Sequence, residues 1–167
     1  IMKKFKFNKV DYRKISAYKD VDEKDFYNWK WQMKNSVRDI ESLKKIIDLS
    51  EEEIDGAKVA LDKFRMSFTP YYLSLVDSSN PICPIKLQAI PQRLEIEEHP
   101  FDLEDPLHED VDSPVQGLTH RYPDRVLLVV TQICSMYCRH CTRRRMVGDV
   151  DQNINESDFD KAVEYIK

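Results

Sequence analysis

Arg125-Val-Leu-Leu-Val-Val-Thr131, followed at once by Gln132-Ile-Cys134-Ser-Met-Tyr-Cys138-Arg-His-Cys141, is the stretch whose reading decides how this chain folds. An unbroken run of Val and Leu is too short for a helix and lacks alternation, so it predicts a strand buried on both faces. The cysteines begin where that strand ends. After a polar link, Asn155 or Ser157 starts a last helix, with Phe159, Ala162, Val163 and Ile166 on one side of it. Strand, loop and helix make one β/α unit, and β/α barrels place their chemistry on the loops at the C-terminal ends of strands. A closed barrel needs roughly 200 residues or more. The expectation is therefore the front part of a larger β/α protein.

The cysteine loop has the spacing C-x3-C-x2-C. Three thiolates so placed can hold three irons of a [4Fe–4S] cube and leave the fourth iron open to a small chelating molecule. S-adenosylmethionine (SAM) offers an amino group and a carboxylate for that position. Zinc is the competing reading, but structural zinc sites usually show two separated ligand pairs. Here the remaining cysteine, Cys83, lies far upstream between prolines, so zinc would need His140 or a distant histidine. Four cysteines in 167 residues are too sparse for a disulfide framework. Reduced thiols without a metal stay open as a third reading.

Upstream of the strand, residues 80–117 hold prolines at 81, 84, 91, 100, 106 and 114, which break long helices but allow a short one around Ile85–Ala89. The acidic run from Glu95 to Asp112 predicts a long solvated or salt-bridged connection rather than a core segment, with His108, Glu109 and Asp110 as conceivable metal ligands. Further upstream the pattern is helical. Residues 1–20 read as an ordered arm or frayed terminus. Asp22 caps a helix from Glu23 that carries Phe26, Trp29, Met33 and Val37 at helical spacing. Ser42–Leu49 predicts a short helix. Ser50 and Glu53 form a capping box ahead of the stripe Ile54, Ala57, Leu61 and Phe64, and Thr69-Pro70 opens another helix. Trp29, Trp31, Tyr71 and Tyr72 read as core or subunit-interface residues. The regions so drawn are residues 1–79, 80–117 and 118–167, and the fold class is mainly α with one β/α unit.

Composition narrows the function. The net charge of −4 argues against a general nucleic-acid binder. No apolar run reaches membrane-spanning length and no N-terminal apolar core of a signal peptide is present, so the expected compartment is the cytoplasm. The three glycines, Gly56, Gly117 and Gly148, allow neither G-x-G-x-x-G nor a P-loop.

The motifs together resemble the lysine 2,3-aminomutase and glutamate 2,3-aminomutase family of radical SAM enzymes. The likeness rests on the cysteine run with His140 before its last cysteine, on Gly117-Leu-Thr-His-Arg-Tyr-Pro-Asp-Arg-Val-Leu127, and on Thr142-Arg-Arg-Arg145. It extends to Asp105-Pro-Leu-His-Glu-Asp110 with Ser113-Pro-Val115, Asp25-Phe-Tyr-Asn-Trp-Lys-Trp-Gln32, Arg65-Met66 with Thr69-Pro-Tyr-Tyr72, and Gln88-Ala-Ile-Pro91. The resemblance implies an N-terminal helical region ahead of a partial β/α radical SAM barrel. It also implies a [4Fe–4S] cluster, SAM and pyridoxal phosphate (PLP), and migration of an amino group between the α and β carbons of lysine or glutamate. Carried over residue by residue, it gives Cys134, Cys138 and Cys141 as cluster ligands and His140 beside SAM. Arg121, Tyr122 and Arg125 fall at PLP, and Arg143 on the substrate carboxylate.

The family's Gly-Gly pair for SAM and its PLP lysine have no counterpart here, so the expectation is that the chain by itself does not turn over substrate. Two other classes remain in view: a helical oligomerisation module, and a small zinc-binding protein. A homo-oligomer is expected, with strand or domain swapping to give the apolar strand a partner.

Overall fold

A computed structural model describes residues 10–148 and 154–167. The chain divides into two compact units, one ending at Ile96 and one beginning at Glu97. The expected N-terminal arm lies outside the described residues as far as residue 9, as does part of the polar link, residues 149–153.

The first unit is built from short helices, the first four started by a side-chain cap and the last two by a proline. Asp22 accepts from the Lys24 N–H at 2.8 Å and starts α1 (Glu23–Phe26). The single helix expected here is two: Asn28 accepts from the Lys30 N–H at 2.9 Å and starts α2 (Trp29–Lys34). An Asx cap competes with helix continuation, which is why the chain breaks at Tyr27 and Asn28. Val37, expected on that helix, instead pairs with Phe68 as an isolated bridge. Asp39 caps α3 (Ile40–Leu43), a turn shorter than the pattern suggested and begun earlier. The capping box before α4 (Glu51–Leu61) forms as expected, with Ser50 N–H on Glu53 Oε2 at 2.8 Å and Glu53 N–H on Ser50 Oγ at 3.2 Å. Pro70 and Pro84 occupy the first turns of α5 (Pro70–Leu73) and α6 (Pro84–Ala89), where their missing N–H costs nothing.

Two features close this unit. Tyr12 stacks on Phe26 at 3.8 Å between ring centroids, with Tyr18, Trp31 and Tyr71 around them. Buried Gln32 donates to Phe26 O and accepts from the Tyr71 N–H at 2.7 Å, so one amide joins the end of α1 to the start of α5. Trp29, by contrast, is 69% exposed and is not core. Gly56 lets α4 approach the 3-10 turn Arg93–Ile96, since a Cβ there would lie 3.1 Å from Arg93 N.

The second unit holds the β structure. The apolar run gives β2 (Arg125–Leu128), which pairs antiparallel with β1 (Leu118–Tyr122), Leu118 opposite Leu128 and Tyr122 opposite Arg125. The expected strand buried on both faces is instead one arm of a hairpin: Leu127 is 41% exposed and Val130 56%. One edge of the apolar strand thus finds its partner in its own chain. The joint is Pro123-Asp124, with Pro favoured at the second position of a tight turn. Asn155 caps α7 (Glu156–Ile166) by accepting from the Asp158 N–H at 2.9 Å. Of its apolar side, Ala162 is buried while Phe159, Val163 and Ile166 are exposed. The described residues are mixed helix and two-stranded sheet, without a barrel. No helix among them is long and apolar enough to cross a membrane.

Candidate functional site

The cysteine segment leaves the hairpin and returns on itself. Gly148 N–H donates to Gln132 O at 3.2 Å, closing residues 132–148 into a loop. Gly148 sits at φ +86°, and a Cβ built there would lie 2.8 Å from the Tyr137 ring. Only glycine combines that backbone conformation with the ring's approach. Inside the loop, Cys141 N–H donates to Cys138 O at 3.1 Å and Arg144 N–H to Cys141 O at 3.2 Å, so the last two cysteines share consecutive tight turns.

Cys134 is exposed, Cys138 and Cys141 are half-buried, and none is in a disulfide. The Cys138 thiol is pushed up by burial first, and then by Cys141 and Cys134. Negative charge on either neighbouring cysteine thus opposes ionisation of Cys138. A cationic centre among them converts that repulsion into attraction, and soft thiolates select zinc, copper(I) or iron–sulfur centres over hard cations. The donor chemistry fits a cluster. The side chains are not drawn into a coordination shell: among the described residues, no three His, Cys, Asp or Glu groups stand together as a metal site. That holds equally for His108, Glu109 and Asp110. His140 is exposed on the same loop.

The acidic connection is not free in solvent. Its Asp105–Asp110 stretch binds the basic arm that follows the cysteines. Glu109 takes Arg143 in a fork, Nε to Oε2 at 2.9 Å and Nη2 to Oε1 at 2.5 Å. This pairing holds the Arg143 guanidinium more firmly protonated. Arg145 bridges Asp105 at 3.3 Å and Asp110 at 2.9 Å. Arg144 donates to Arg139 O within the loop. Asp105 also accepts from the Asp110 N–H at 2.9 Å, a bond that leads the causes holding its carboxyl below the ordinary range. The strap turns at His108, whose φ of 53° is left-handed. Glu109 and Asp105 were not singled out from sequence for this purpose. The signal was there as charge complementarity between Glu104–Asp112 and Arg143-Arg144-Arg145.

The three residues expected at PLP lie on the hairpin. Arg125 stacks over the Tyr122 ring at 4.5 Å, across the turn from it. Arg121 donates to Leu107 O at 2.7 Å, tying β1 to the strap. The hairpin thus brings Tyr122 and Arg125 together, while Arg121 is engaged with backbone. On the same strand His120 Nδ1 lies 2.7 Å from Tyr165 Oη of α7.

No family model matches the sequence. Curated relatives do. The chain is 52% identical over 155 residues to the L-lysine 2,3-aminomutase of Clostridium subterminale, 93% of this chain and 37% of that protein. It is 55% identical over 154 residues to the L-lysine 2,3-aminomutase of Acetoanaerobium sticklandii, covering 92% and 37%. It is 40% identical over 155 residues to the glutamate 2,3-aminomutase of Clostridioides difficile, covering 93% and 36%. The class defined by these likenesses is amino acid aminomutases, which are isomerases. Over the matched stretch the chain is homologous to lysine and glutamate 2,3-aminomutases. It spans just over a third of the length of these relatives.

Proposed function

We propose that this chain carries the cofactor-binding front part of an amino acid 2,3-aminomutase. The observation that carries the reading is 52–55% identity over more than nine-tenths of the chain to lysine 2,3-aminomutases, spanning the cysteine loop. In this reading Cys134, Cys138 and Cys141 are the ligands of a [4Fe–4S] cluster, and the Gln132–Gly148 closure fixes the loop that presents them. His140 lies beside SAM. Arg121 and Arg125 offer guanidinium forks to the PLP phosphate, with Tyr122 beside the ring. Arg143 holds the α-carboxylate of lysine or glutamate.

When bound, the cluster with SAM supplies hydrogen-abstracting radical chemistry, and PLP supplies the carrier for the migrating amino group. The task of this chain's residues is to hold, orient and shield. The hairpin sets Tyr122 and Arg125 side by side, and the acidic strap fixes the arginine arm behind the cysteines. We further propose that the chain by itself turns over no substrate, because the described second unit offers one hairpin and one helix in place of a closed site. A homo-oligomer assembled through the helical first unit, where Trp29 is exposed, belongs to the same proposal.

Anaerobic reconstitution followed by iron and sulfide quantitation tests the core of it. The expected result is a [4Fe–4S] signal in the EPR spectrum of the reduced protein that changes on adding SAM, and its loss in Cys138→Ser. Bound zinc, or a cluster signal that SAM leaves untouched, would sink the reading.

A further inference from the structure

Glu109 holds only one edge of the Arg143 guanidinium. Its two oxygens take Nε and one Nη2 hydrogen, at 2.9 and 2.5 Å. A guanidinium has five N–H donors in a planar fork. Among the described residues, no acceptor meets Nη1 or the second Nη2 hydrogen. Exposure divides the same way: the Glu109 side chain is 12% exposed and that of Arg143 35%. The acid is the fixed partner, and the arginine keeps the surface open to solvent.

Glu109 is itself held from both sides. Asp105 accepts the Asp110 N–H next to it, Leu107 O accepts Arg121, and Arg145 pins Asp105 and Asp110. We propose that Glu109 is a positioning residue: it locks Arg143 by the Nε/Nη2 edge and so presents the Nη1/Nη2 edge to the α-carboxylate of an amino acid substrate. This rests on Arg143 being the carboxylate residue. The competing arrangement has the substrate displace Glu109. That would break two charge-assisted hydrogen bonds and leave a nearly buried carboxylate without its cation, which is strongly unfavourable. Docking on the open edge requires neither. Preorganising the fork also removes the entropy of ordering a long side chain on binding.

The test uses the reconstituted chain with 15N-labelled arginine, titrated with L-lysine and with L-lysinamide, which lacks the carboxylate. In the unsubstituted protein, L-lysine shifts the Arg143 Nη signals and leaves Nε–H in place, while L-lysinamide shifts neither. Glu109→Gln weakens L-lysine binding about tenfold, with iron content and the Arg145 signals unchanged. The positioning role is overturned if L-lysine drives Nε–H to its Glu109→Gln position, or if Glu109→Gln binds L-lysine normally while Arg143→Gln does not. Unchanged L-lysine binding in Arg143→Gln, or no binding by the unsubstituted chain, overturns the role of Arg143 itself and this inference with it.

Discussion

Glu53 does two jobs with one carboxylate. It completes the capping box with Ser50, and it pairs with Lys86, whose side chain is only 6% exposed. Burial acts to raise its pKa, but the Lys86 hydrogen bond and the Ser50 N–H together bring it below the ordinary glutamate range. A depressed folded-state pKa means stability that is fully present above the unfolded value and is lost as pH falls through the folded one. Glu53→Ala removes the box and leaves a buried ammonium without its counter-charge. The expected loss is about 2–3 kcal/mol, below the fully buried range because Glu53 keeps a third of its side chain in solvent. Ser50→Ala removes only the cap and should lose about 1 kcal/mol. Urea unfolding followed by tryptophan fluorescence checks both. Equal losses in the two variants would show that Lys86 has found another partner. The difference between unsubstituted protein and Glu53→Gln should shrink as pH drops below the carboxylate range.

At the scale of elements, the acidic strap matters more than its composition suggested. Asp105 holds the Asp110 N–H and Arg145 together, and those bonds keep its carboxyl depressed. The strap should therefore be in place at neutral pH and loosen as acid protonates Asp105. NMR titration of the Asp110 amide should show a midpoint below that of an ordinary aspartate. In Asp105→Asn that transition should vanish, and the cysteine loop should load iron more slowly. A normal midpoint, or unaltered loading, would mean that Arg145 alone suffices. The strap also marks what sequence could and could not show. The caps at Asp22, Ser50 and Asn155 were legible because a capping side chain bonds its own next turn, and the start at Thr69-Pro70 was legible from the proline alone, since the Thr69 side chain makes no capping bond. Also legible was the existence of a loop between the apolar run and the last helix, because its polar and cysteine residues follow that run directly in sequence. Asn28 was hidden because Phe26, Trp29 and Met33 kept helical spacing straight through the break. The hairpin was hidden because Val and Leu dominate β2, whereas its partner Leu118-Thr-His-Arg-Tyr122 carries polar residues that mask its strand character. The Glu109–Arg143 pair joins positions 34 apart, beyond the reach of any local pattern.

The two units of the whole molecule are held by different forces. Among the described residues, the buried apolar side chains of the second unit are Leu118 and Ala162, while the first unit buries Tyr12, Phe26, Leu43, Phe68, Leu73 and others. Apolar burial is the main driving term of folding, at roughly 25 cal/mol per Å². The second unit relies instead on hydrogen bonds and ion pairs, which contribute little net stability where water competes. Its local opening should therefore need less free energy than unfolding of the first unit. Both tryptophans, Trp29 and Trp31, lie in the first unit, so fluorescence reports that unit alone. With rising urea, the hairpin amides of Leu118 and Val129 should lose hydrogen-exchange protection while tryptophan emission is still native. A metal centre that binds only the folded loop adds its binding free energy to folding. Reconstitution should accordingly move the hairpin transition to higher urea and leave the tryptophan transition where it was. Coincident transitions before reconstitution would show one cooperative body in place of two. A cluster that shifts both equally would show that the cysteine loop also stabilises the helical unit.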